Sequence, residues 1–116
     1  YFVMSEEGIE NWQHMIRKLA PLIEDAMVQV HTKEAEVKQL QAVLKLKALD
    51  SGIKTNSGQE TYAEASEELK DARIKVGVAK GTLEAIRVKL KSLEVGYEVW
   101  RTREVSQRRE QARYGA

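Results

Sequence analysis

From Tyr62, counting alternately by three and four meets Tyr62, Ala65, Leu69, Ala72, Val76, Ala79, Leu83, Ile86, Leu90, Leu93, Tyr97 and Trp100, none of them charged. Such a series is a heptad seam, the stripe that one helix presents to another. A second series at the same spacing, Ile74, Val78, Gly81, Ala85, Val88, Ser92, Val95 and Val99, falls on the opposite side of the same helix. One neighbouring helix cannot cover two opposed apolar faces, so the pattern predicts a helix against the first face and another copy of the chain against the second.

The first half of the chain supplies the neighbouring helix. From Ile9 the same count passes Trp12, Ile16, Leu19, Ile23, Ala26, Val30, Lys33, Val37, Leu40, Leu44 and Lys47, with only the two lysines interrupting it. Ser5 before Glu6 and Glu7 suits a helix start, with a capping oxygen and acids against the positive end of the dipole. Pro21 removes a backbone donor, which predicts a kink between Arg17 and Pro21. The alternative is a full break there, with residues 5–20 as a separate mobile helix.

Asp50 to Gln59, with two glycines and several small polar residues, reads as the connecting loop. Ser57 with Glu60 and Thr61 with Glu64 have capping-box spacing, so a second helix should begin near residue 60 and run to about 113. Ile9–Leu49 and Tyr62–Trp100 would each make about 60 Å of helix at 1.5 Å per residue. The expected architecture is therefore all-α: a long antiparallel, coiled-coil-like hairpin, kinked near Pro21 and assembling into a homo-oligomer. Paired residues should have numbers summing to near 110, which sets Trp12 beside Tyr97 and Trp100, and Leu40 beside Leu69 or Ala72. Residues 4–114 form one domain in this reading, with helix 1 at about 6–49, a loop at about 50–59 and helix 2 at about 60–113. Tyr1, Phe2 and Val3 read as residues left from cloning, with Met4 as the natural start.

Composition narrows the chemistry. The 116 residues contain no cysteine, which removes disulfides and thiolate metal sites and fits a reducing cytoplasm. No apolar run is long enough to span a bilayer, so no membrane partner is expected and the cytoplasm is the expected location. His14 and His31 lack ligand spacing, and no nucleophile motif or dinucleotide fingerprint is present, so no enzyme, metal or cofactor is expected. The glycines of the loop lack the pattern and the preceding strand of a phosphate-binding loop.

Charge is more telling. The net formal charge is +1, yet residues 1–50 balance at −2, residues 51–69 at −3 and residues 70–116 at +6. Arg101, Arg103, Arg108, Arg109 and Arg113 follow the last seam residue, where the register leaves them overhanging the hairpin. Guanidinium groups at this density can track a phosphate backbone. Trp100 and Tyr114 lie among them as possible stacking surfaces for unpaired bases, although Trp100 also holds a seam position. Lys45 and Lys47 form a second basic group just before the loop; compensation of the helix C-terminus is the ordinary explanation for it. In a ring of copies these lysines would repeat into a multivalent surface.

Leu44-Lys45-Leu46-Lys47-Ala48-Leu49, then Asp50-Ser51-Gly52 and a polar loop, then Ala- and Leu-rich heptads ending in LEVGYEVWRTREVSQRR, resemble the phage recombination mediators of the UvsY type over roughly residues 35–110. The resemblance implies a ring-like homo-oligomer that binds single-stranded DNA, contacts a recombinase and a single-strand-binding protein, and works in the host cytoplasm. It carries Lys45 and Lys47 over as DNA-binding positions. The chain departs from that family in its shortness, its lack of a glycine-rich acidic loop, and Pro21. The expected phosphate contacts are thus Lys45, Lys47, Arg101, Arg103, Arg108, Arg109 and Arg113, and the expected oligomer interface is Ile74, Val78, Gly81, Ala85, Val88, Val95 and Val99. The rival reading is a protein-interaction or scaffold hairpin, such as a phage assembly factor or an inhibitor of a host protein. A third is a protein that holds a small anionic ligand between subunits.

Overall fold

The structure, a computed structural model, describes residues 6–114. Tyr1 to Met4, the Ser5 cap and the side chains of Ile9 and Tyr114 lie outside what it describes. The described residues are all helical apart from short connections: α1 (Glu6–Asp50), α2 (Asn56–Glu64) and α3 (Glu67–Tyr114). Contacts divide the chain into two compact units, one formed up to Ile23 and from Ala85 onward, the other spanning Glu24–Glu84.

In the Glu24–Glu84 unit, α1 and α3 pack antiparallel. The Lys80 ammonium lies 3.4 Å from a Glu34 carboxylate oxygen. Further along, Leu44 and Leu69 are buried with Ala63, and Val37 and Leu40 pack against that cluster. Rising numbers on α1 thus meet falling numbers on α3, and Leu40 and Leu69 fall together as the register requires. Ala26, Val30, Leu44 and Ala48 of α1 and Leu69 and Leu83 of α3 are buried, while Ala72, Val76 and Ala79 are half-buried. Ala48, fully covered, takes the core place that the three-four count assigned to Lys47, which is exposed. A step of four from Leu44 keeps an alanine in the core, and a lysine there would leave an ammonium without water.

The turn after α1 is a Schellman motif. Gly52 has φ +94°, its N–H donates to the Leu49 carbonyl at 3.0 Å, and the Ile53 N–H donates to the Ala48 carbonyl at 3.0 Å. Glycine adopts that left-handed backbone without steric cost. The connection is shorter than the sequence pattern suggests, because α2 begins at Asn56. Its N-cap is Thr55, whose hydroxyl oxygen accepts from the Gly58 N–H at 3.1 Å. Neither anticipated capping box forms: Ser57 and Thr61 lie within α2, where the Thr61 hydroxyl donates to the Ser57 carbonyl at 3.0 Å.

The expected second helix is divided in two. Helix α2 ends at Glu64, and the Ser66 carbonyl accepts from the Lys70 N–H at 3.2 Å as α3 begins, with Glu67 and Glu68 in its first turn. Serine is a favoured residue at a helix start and the two acids complement the dipole. The break shifts the phase, so Ala63 is buried while Tyr62 and Ala65, both read as seam residues, are exposed. Across the break the Arg73 guanidinium donates two bonds to the Glu64 carboxylate, at 2.5 and 2.6 Å. Those bonds hold the Glu64 carboxyl below the usual carboxylate range and raise Arg73 above its ordinary value.

In the other unit, Leu19 is buried and Ile16, Ile23, Ile86, Leu90 and Leu93 are half-buried. Trp12 meets Tyr97 edge-to-face with ring centroids 6.4 Å apart, and Tyr97 lies 5.8 Å from Trp100. This is the contact that the sequence register anticipates. It depends on Gly96, where a Cβ would sit 2.5 Å from an atom of the Trp12 ring. Helix α1 continues through Pro21, which is exposed, so residues before it are not a separate helix. A proline nitrogen gives the Arg17 carbonyl no hydrogen bond, and an exposed position allows water to serve instead.

Two outcomes test this packing. Gly77 and Gly96 both lie within α3, but a Cβ at Gly77 meets nothing within 4 Å. Alanine improves helix propensity equally at both sites, so Gly96→Ala should be less stable than Gly77→Ala by about 1–3 kcal/mol in denaturant melts, the usual cost of overpacking. Equal stability would show that Trp12 does not press on Gly96. For the helix break, the folded pKa of Glu64 lies below its unfolded value. The stabilisation is therefore present above the unfolded pKa and is lost as pH falls through the folded one. Carboxyl NMR titration of Arg73→Gln should return Glu64 toward the ordinary range, whereas an unmoved titration would mean the pair does not form in solution.

Candidate nucleic-acid interface

Beyond Trp100, α3 keeps its helix through RTREVSQRREQARY, so the five arginines are arranged by helical geometry. At about 100° per residue, Arg101, Arg108, Arg109 and Arg113 fall within an arc of roughly 140°, and neither Glu104 nor Glu110 enters it. Arg103 lies on another side, near Glu110. All five are exposed. Two have close acids: Arg101 is 3.7 Å from Glu98 and Arg108 is 3.7 Å from Glu104. Both pairs are within one helix and open to water, so each is a weak attachment that a phosphate can displace. Sequence reasoning singled out these arginines by their density but missed that four of them share one side; their spacings of seven, eight and twelve from Arg101 were the signal.

The aromatic at the head of this segment is not free. Trp100 is half-buried and its ring packs on Tyr97, so it takes the seam role rather than that of a stacking platform. Lys45 and Lys47 belong to the other compact unit and form a separate group. Lys45 is half-buried, 3.9 Å from Glu60 of α2, and so helps to seat that short helix on α1. Lys47 is exposed, and its carbonyl closes the end of α1 by accepting from the Ser51 N–H and hydroxyl, each at 3.0 Å.

The anticipated interface residues are all uncovered in the single chain. Ile74, Val78, Val88, Val95 and Val99 are 45–65% exposed, and Gly81 and Ala85 are exposed between them. Their side of α3 faces away from the seam.

Among the described residues no group of three His, Cys, Asp or Glu is placed to hold a metal ion, and no helix is long and apolar enough to cross a membrane. His14 and His31 are both exposed. No protein-family model matches this sequence, and neither curated proteins nor solved structures yield a match.

If Trp100 is a packing residue, Trp100→Ala should lower folding stability by about 1–3 kcal/mol, less than the loss for a fully buried aromatic. Thermal melts read this directly. An unchanged melt would return Trp100 to the exposed surface.

Proposed function

We propose that this chain is a non-enzymatic, homo-oligomeric protein that binds single-stranded nucleic acid along the arginine-bearing end of α3, in the manner of the UvsY-type phage mediators it resembles. The observation that carries the reading is the exposed arc of Arg101, Arg108, Arg109 and Arg113, uninterrupted by an acid. Phosphates meeting this arc release condensed counterions, so binding is driven by salt release and carries little sequence preference. Arg103 and, in the other unit, Lys47 add positive charge. Lys45 contributes only after exchanging its Glu60 partner. Self-assembly through the outer stripe of α3 multiplies weak sites into a tight one. By the same resemblance, the protein would load a recombinase onto DNA held by a single-strand-binding protein, within the host cytoplasm.

A second reading has its own support. The uncovered stripe from Ile74 to Val99 also suits a protein-interaction or scaffold hairpin that binds a different protein. Charge reversal separates the two. With labelled single-stranded oligonucleotides, anisotropy should show binding whose logarithm falls with log salt at a slope of about −3, as expected for four phosphate contacts on a single strand. Arg108→Glu with Arg109→Glu should abolish that binding while leaving the assembly mass unchanged. Absence of binding at low salt, or binding indifferent to the double reversal, would overturn the nucleic-acid reading and favour the scaffold.

A further inference from the structure

The outer stripe of α3 is bordered by two rows of polar residues, and their charges differ. The row that precedes the core positions Val78, Ala85, Ser92 and Val99 is Gly77, Glu84, Lys91 and Glu98. The row that follows Ile74, Gly81, Val88, Val95 and Thr102 is Lys75, Thr82, Lys89, Gly96 and Arg103. The second row contains no acid. In paired helices such flanking rows set partner and orientation, because they meet across the apolar seam.

We propose that the outer stripe is the contact surface for a second copy of this chain, with the two α3 helices parallel and in register. This rests on the reading of the stripe as the self-association surface and adds its orientation. In a parallel pair each residue of the first row faces the residue five positions further on in the other copy. Glu84 then meets Lys89, and Glu98 meets Arg103, each twice by symmetry. Gly77 meets Thr82 and Lys91 meets Gly96, which are neutral. The one like-charge juxtaposition, Lys70 with Lys75, precedes the first stripe residue beyond Ile74 and has open water around it. An antiparallel pair instead sets the second row against itself, so that Lys75, Lys89 and Arg103 oppose one another in any register. Charge complementarity therefore selects the parallel arrangement.

Both members of the central pair are available to it. Glu84 and Lys89 are exposed, and neither makes an ion pair among the described residues. The positions three and four residues from Lys89 are Ala85, Ile86, Ser92 and Leu93, so its own helix offers it no acid. The apolar face between the rows is long enough for a specific pairing: Ile74 to Val99 extends for about 38 Å of helix. Parallel pairing also brings the arginine segments of both copies to the same end, where a single strand can bridge them and relieve their mutual repulsion.

Cysteine cross-linking tests the orientation, and the chain has no cysteine of its own to interfere. Val99→Cys alone and Ile74→Cys alone should each give a covalent dimer on mild oxidation, and mixing the two variants should give no dimer linking position 74 to position 99. Glu84→Lys should weaken self-association by about 3- to 10-fold, the effect of converting two exposed attractions to repulsions, and adding Lys89→Glu should restore it. A 74-to-99 dimer from the mixture, with none from either variant alone, would overturn the parallel arrangement while leaving self-assembly through the stripe intact. No cross-link from any variant would overturn the stripe as a self-association surface, and the oligonucleotide titration would then judge the arginine arc on its own.

Discussion

Helix α3 carries more apolar surface than one partner helix can cover, and the rest of the structure follows from how that surface is divided. One side of α3, from Leu69 to Trp100, packs with α1. Small residues such as Ala72 and Ala79 let the two backbones approach, and Gly96 admits the Trp12 ring. The opposite side, from Ile74 to Val99, is left in water. Hydrophobic surface in a continuous stripe is unfavourable for an isolated chain, whereas scattered apolar residues would need no explanation. Few side chains are fully buried in either unit, so a second burial event adds appreciably to what the seam supplies.

Electrostatics completes the division. The bidentate Glu64–Arg73 pair holds the short helix α2 to the start of α3, and Lys45 with Glu60 ties it to α1. Exposed pairs of this kind contribute little to stability, but they fix the geometry of a break that apolar packing alone would leave loose. Toward the other end of α3 the balance reverses. There the arginines outnumber the acids, and the two pairs that form lie within one helix, leaving a basic side open to an anionic partner.

The sequence announced much of this, because helical periodicity is a direct imprint of burial. The three-four spacing located both long helices, the seam, the Trp12–Tyr97 contact and the uncovered stripe. It failed where two phases were nearly equivalent. Tyr62 and Ala65 continue the count as well as Ala63 does, and only the break at Ala65–Ser66 selects the latter. Lys47 and Ala48 posed the same choice, which burial settled in favour of alanine. The connector was misjudged because Ser57 and Thr61 carry the same capping chemistry as Thr55, and spacing alone cannot rank three candidates. At the candidate site, the density of arginine was plain, but the side they share emerges only once the helix is known to continue past Trp100. The reading of function rests on charge and resemblance, for which periodicity offers no substitute.

The central claim is that the face of α3 turned away from α1 is a surface for self-assembly. Sedimentation equilibrium of the native chain beside Val88→Asp tests it most directly. Val88 is exposed in the single chain, so a carboxylate there costs the monomer little, yet it would be buried without a partner in an assembly. The account predicts a native mass that is a multiple of the chain mass and a Val88→Asp variant that sediments as a helical monomer. A native chain that is monomeric across the concentration range, or a Val88→Asp variant with the native mass, would contradict it.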